Sequence, residues 1–355
     1  MGEASPLGEV NWTGTTRLVV EIARIETEAG VAVERILSPV VQELAEVEER
    51  LFQGIGSHVE LIAEITRYVL KSGGKRVRPT LLLLSAKLCG YRGGSRNIAL
   101  ATVAEYMHAA TLIHDDIIDN ADKRRGLPSA NSLWGPQISV LAGDFLYARS
   151  LQILVADGDL AVMQAFADAT VRMTEGEVRE VQMAGNLDLT YDDYLEIIVS
   201  KTAALISAAC RAGALIAKAS EDRVAALTEF GLNLGIGFQL VDDALDFSAK
   251  EDRLGKPVGN DFKEGKVTFP MLHVLRTAPA PSRARIKELV TKETIGEADL
   301  AEVKEMVERH GAVAATMAHA RTYLERSKEL LGNFQDSAAK HSLVLLVDFV
   351  RDRDW

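Results

Sequence analysis

From Val31 onward apolar residues return every three or four positions. Val33, Ile36, Leu37, Val40, Val41, Leu44, Val47 and Leu51 form one stripe with glutamates opposite, the spacing of an amphipathic helix. Residues 58–71 repeat it. Ser72, Gly73 and Gly74 break it, and Pro79 sits in the first turn of a helix over 80–89, where its missing N–H does no harm. Further helices are expected over 95–120, 136–156, 160–184, 191–219, 221–247, 268–277, 282–294, 297–310, 311–331 and 337–350, with a Gly-, Lys- and Asp-rich loop over 255–265. Alternation of strand type is missing, so the pattern predicts an all-α fold. With no linker after Val31, residues 31–355 read as one large helical bundle.

Residues 1–16 are polar and aperiodic and residues 17–30 suit at most a short helix, so 1–30 read as an N-terminal extension without the layout of a signal peptide. The 355 residues are 47% hydrophobic and 26% charged, ordinary for a globular chain. A net charge of −11 speaks against nucleic acid as a partner. Cys89 and Cys210 are too few for a disulfide framework, which suits a reducing, cytoplasmic setting. No run of roughly 18 uncharged apolar residues suggests a transmembrane segment, although an apolar product could still partition into a membrane.

Candidate chemistry sits at the ends of two long helices. Residues 114–126 read HDDIIDNADKRRG, and Asp115, Asp116 and Asp119 crowd one helix end. Like charges a turn apart repel, and Mg2+ is the hard cation that such oxygens suit. Arg124 and Arg125 follow, with the planar fork that grips phosphate. Alone, this also reads as a solvated acidic helix end and a basic loop. A second copy, Asp242, Asp243 and Asp246 in GIGFQLVDDALDF, lies 127 residues on (242 minus 115). Facing helices would bring six carboxylates to the mouth of one cavity.

Cations are arranged to match. In GGKRVRP, Lys75 and Arg78 would converge on a helix start, a favourable place for an anion. His108 lies two turns before Asp115, on the same face. Lys201 and Thr202 interrupt an apolar helix, and a buried lysine needs an anion. Gln239 stands one turn before Asp243. Lys256 and Lys266 could close the glycine-rich loop over a phosphate as a lid.

In combination, GGKRVRP, DDIID followed by RRG, Lys201-Thr202, and GIGFQLVDDALD followed by GK and EGK resemble the trans-type polyprenyl diphosphate synthases over about nine-tenths of the chain. The resemblance implies the isoprenoid synthase bundle with its central cavity, Mg2+, a homodimer, and head-to-tail condensation of isopentenyl diphosphate with an allylic diphosphate. It implies that both aspartate motifs hold metal on the allylic diphosphate. Arg124, Lys201, Thr202, Gln239, Lys256 and Lys266 match positions that contact that group. Lys75, Arg78, His108 and Arg125 match the isopentenyl diphosphate pocket.

The growing tail is expected to run from Asp115 back along its helix, past Thr111, Ala110 and Met107. In the family, bulky residues just before the motif resemble a floor. Small Ala110 and Thr111 resemble the open arrangement of long-chain enzymes, with roughly 18 Å from Val103 to Asp115 at about 1.5 Å per residue. The expectation is a product of about C40, suited to a quinone side chain. The alternatives are a shorter farnesyl or geranylgeranyl product and a non-catalytic prenyltransferase subunit, which would have lost acidic motifs. A terpene cyclase has no use for the GGKRVRP pocket.

Overall fold

The computed structural model describes residues 28–72, 74–248, 259–292 and 295–353. Lys256, Gly73 and residues 1–27 lie outside them. The helices in order are α1 (Glu28–Leu37), α2 (Val41–Gln53), α3 (Glu60–Lys71), α4 (Val77–Leu88) and α5 (Arg96–Ile118). Next come the short α6 (Ala130–Trp134), then α7 (Pro136–Asp157), α8 (Leu160–Met183), α9 (Tyr191–Ile198), α10 (Ala204–Ile216) and α11 (Glu221–Ser248). The series closes with α12 (Asn260–Lys263), α13 (Phe269–Thr277), α14 (Ala280–Val290), α15 (Glu297–Arg309), α16 (Ala312–Leu330) and α17 (Ala338–Asp352).

The fold is all-α, as the periodicity predicts. Helix α5 is its axis. Leu100, Ala101, Val103, Ala104, Tyr106 and Ala110 are fully enclosed, since a helix apolar on every side must be buried on every side. Helices α10 and α11 pack on the same core through alanines and glycines, which let backbones come close.

Three local departures have physical causes. Pro39 interrupts the expected first helix with a 3-10 turn over Ser38–Val40, because proline cannot continue the α ladder. The RRG segment folds as a hairpin, with β1 (Lys123–Arg124) pairing antiparallel with β2 (Leu127–Pro128). Its two turn residues, Arg125 and Gly126, both have positive φ, as a type I′ turn requires. The expected helix over 191–219 is split by a π-helical segment, Val199–Ala203, which carries Lys201 and Thr202.

Among the described residues, three helices, α7, the α9–α10 run Tyr191–Ile216, and α11, are long and apolar enough to cross a membrane by length and composition. Charged residues interrupt each of them, so none is a run of roughly 18 uncharged apolar residues. The bundle itself accounts for two of them, whose most apolar windows are 72% and 56% buried inside the protein. In α7 the figure is only 33%.

Candidate active site

The two acid motifs end α5 and α11, and Lys266 ties them together. Its Nζ lies 3.0 Å from Asp119 Oδ2 and 2.7 Å from Glu264. It also offsets the negative field on Asp261, which Asp246, Asp243 and Asp242 intensify. Asp261, half-buried, is thus a further acid in the second cluster, its carboxyl pushed well above the usual carboxylate range by desolvation and those neighbours. Sequence reasoning passes over it because it lies beyond the motif, in a stretch that reads as loop and folds as the short α12.

Within each motif the middle aspartate is buried and engaged. Asp116, 4% exposed, accepts from Arg124 Nε at 2.6 Å. Asp243, 1% exposed, accepts from the Tyr194 hydroxyl at 2.6 Å, from Gln239 Nε2 at 2.9 Å and from the Phe269 backbone N–H. Gln239 is oriented in turn by the Thr202 hydroxyl, which donates to its Oε1 at 2.9 Å. Tyr194 is held by ring contacts with Tyr191 and Phe269.

Burial pushes the Asp115 carboxyl up to about 7, against the pull of Lys201, with Glu177 adding to the rise. Burial does the same to Asp243, also to about 7, although Tyr194 and Gln239 favour its charged form. Both acids are poised to lose a proton when a cation arrives.

Lys201 finds its anions within the protein. Its ammonium meets Glu180 at 2.5 Å and Glu177 at 2.7 Å, both on α8. Burial works against its charge, but Glu180, Asp115 and Glu177 outweigh burial and hold it protonated. The π segment makes this contact possible by rotating Lys201 out of the α register; single-turn π bulges are frequent at functional sites. Two glycines make room for the bulge. A methyl on Gly176 would lie 2.7 Å from Ser200 Cβ, and one on Gly235 would lie 2.5 Å from Ala203 Cα.

A basic nest adjoins the acids. Burial pushes the Arg78 guanidinium down to about 10, Arg125 adds to this, and Glu105 and Asp115 oppose it. Its buried Nε has no hydrogen-bond partner. Burial, then Arg78, Arg125, Arg124 and Arg76, hold His108 neutral well below its ordinary value. Lys75 is an exposed side chain, yet desolvation and the fields of Arg353 and Arg125 bring it down to about 8, offset in part by Asp242. Arg76 instead turns inward in the left-handed region and is clamped by Glu48 and by Glu105 at 2.6 Å. It supports the loop, while Lys75 and Arg78 face the nest.

Among the described residues, no three His, Cys, Asp or Glu side chains are gathered closely enough to hold a metal ion by themselves. Mg2+ needs only one or two carboxylates when phosphate and water complete its shell. The donor set fits such an ion: Asp115 is held near its switching point, and the buried Glu177 Oε1 lacks a hydrogen-bond partner.

Below the first motif, Ala110 is fully buried and Met107 is 4% exposed. The Thr111 hydroxyl turns back to the His108 carbonyl at 2.8 Å. At the far end of α5 an open cleft of about 1130 Å3 mixes the charged Arg96, Arg149, Asp157 and Asp159 with Ile153 and Leu160.

Fold and site together describe an enzyme of the isoprenoid synthase type. The polyprenyl synthetase family profile matches residues 59–308. The octaprenyl diphosphate synthase of Haemophilus influenzae is 35% identical over 323 residues, covering 91% of this chain and 97% of that protein. A short chain isoprenyl diphosphate synthase of Methanothermobacter thermautotrophicus is 36% identical, over 86% of this chain and 95% of that one. The crystal structure of a polyprenyl synthase from Caulobacter crescentus, complexed with calcium and isoprenyl diphosphate, superposes with a TM-score of 0.87 at 35% identity, covering 91% of this chain and 98% of that one. The chain belongs to the polyprenyl synthetase family and is a prenyltransferase.

Proposed function

We propose that this enzyme condenses isopentenyl diphosphate head to tail with an allylic diphosphate, with Mg2+, to make an all-trans polyprenyl diphosphate of about C40 for a quinone side chain. The observation that carries the reading is the pairing of two halves: Asp115, near its switching point, beside Arg78, whose buried Nε has no hydrogen-bond partner. An unpaired buried cation is costly until an anion joins it.

The outer aspartates of the motifs, Asp115, Asp119, Asp242 and Asp246, would hold Mg2+, which when bound supplies positive charge to the leaving diphosphate. Asp116 and Asp243 orient Arg124 and Gln239. Lys201, Lys266 and Arg124 stabilise charge growing on the allylic diphosphate as its C–O bond breaks. Lys75, Arg78, His108 and Arg125 hold isopentenyl diphosphate, so that its double bond lies against the allylic cation. A proton then leaves the new chain for the released diphosphate. The surrounding apolar helices exclude water that would quench the cation.

A long product is supported by small Ala110 and Thr111 below the first motif. The mostly apolar, exposed face of α7 and α8 supports a homodimer. The two-cysteine, acidic chain suits the cytoplasm.

The test is turnover of labelled isopentenyl diphosphate with farnesyl and geranylgeranyl diphosphate, with products sized by mass spectrometry. Asp115→Ala should lower turnover at least about a hundredfold with helical content intact. Near-normal turnover would overturn the assignment. Ala110→Phe should shorten the product; an unchanged chain-length profile would show that the tail does not pass Ala110.

A further inference from the structure

Arg353 stands one residue beyond α17, and no motif marks it. Its side chain is nevertheless only 5% exposed, against 59% for the Asp242 side chain that it meets. Its Nη2 lies 3.1 Å from Asp242 Oδ1 and donates to the Phe238 carbonyl at 3.0 Å. The guanidinium lies 4.2 Å from the centroid of the Phe238 ring, a cation–π stack. Its Nε is buried with no hydrogen-bond partner. A terminal arginine would keep all its donors satisfied in water. Here it surrenders one of them to lie on the second aspartate motif, with Lys75 within electrostatic reach.

We propose that Arg353 is a C-terminal latch. It acts as a stand-in cation on Asp242 and must leave that carboxylate before a divalent ion can take it. Loading of the site and release of the chain end are then coupled, and the coupling is reciprocal. This rests on the reading that Asp242 accepts a divalent cation. It adds that the protein carries its own competitor for the place.

Removing the competitor should tighten ion loading. The experiment is calorimetric titration of magnesium pyrophosphate, at fixed free Mg2+, into the full chain, Arg353→Gln, and a chain ending at Asp352. Both variants should bind with a dissociation constant lower by about threefold or more, the scale of a partly exposed charge pair. Mass spectrometry of tryptic cleavage after Arg353 supplies a second readout. Loss of Asp354 and Trp355 from the full chain should be slow alone and faster with magnesium pyrophosphate. Equal or weaker binding by both variants, or cleavage unchanged or slowed by the ligand, would overturn the latch while leaving the metal reading intact. Failure of the full chain and both variants to bind magnesium pyrophosphate would remove the metal reading, and the latch with it.

Discussion

At the scale of single residues, the site separates charges that answer to different ligands. Asp115 and Asp243 sit near 7 because burial disfavours their charge. A cation beside them lowers those values, so metal loading at pH 7 must expel protons. Lys75, at about 8, and His108, held neutral, carry the opposite sign. An anion beside them raises both, so diphosphate loading must take protons up. Calorimetry in two buffers of different ionisation enthalpy reads each count directly. The expected outcome is proton release on adding Mg2+ to the pyrophosphate complex and proton uptake on adding isopentenyl diphosphate to the metal-free protein at pH 8. Uptake in the first case or release in the second would mean that these groups do not meet the ligands.

At the scale of the element, the π segment over Val199–Ala203 decides where Lys201 points. Helices α8 and α11 press on it through Gly176 and Gly235. Gly235→Ala would drive a methyl into the Ala203 backbone, an overpacking cost of about 1–3 kcal/mol. It should lower the melting temperature and reduce turnover at least about tenfold, with the loss falling on the allylic substrate that the proposed function assigns to Lys201. Kinetics against each substrate, alongside thermal denaturation, checks this; unaltered turnover would show that the segment's position is not critical. This element also shows where sequence reading stops. Three-and-four spacing reveals the long helices, because burial enforces it over many turns. A one-residue shift in hydrogen bonding leaves the apolar pattern intact, so residues 191–219 read as unbroken helix. Glu177 and Glu180 look like ordinary polar-face residues of α8, and only the packing shows that they clamp Lys201. The aspartate motifs and the basic loop are legible because each is local in sequence. Arg353, Tyr194 and Asp261 are not, since their partners are distant in the chain or lie beyond a motif.

At the scale of the molecule, α7 and α8 show a face that the bundle does not cover. Gly158 and Asp159 alone join them. On α7 the exposed positions Leu141, Asp144, Ala148, Leu151 and Val155 fall at spacings of three and four. On α8 the exposed positions Leu160, Gln164, Ala167, Val171, Thr174, Val178 and Val181 do the same. Each such seam can take a partner helix. Leu151, Val155, Leu160, Val171, Val178 and Val181 are each more than half exposed, Leu160 at 78%. In the proposed homodimer, a second copy of the chain, turned about a two-fold axis, would meet this surface with its own matching seams. Because Glu177 and Glu180 belong to the same helix as Val178 and Val181, the interface would also brace the Lys201 clamp. Leu151→Glu with Val171→Glu should therefore yield a monomer by sedimentation equilibrium, and turnover per chain should fall with it. A double variant that remains dimeric would place the interface elsewhere, and a fully active monomer would show that the clamp stands without it.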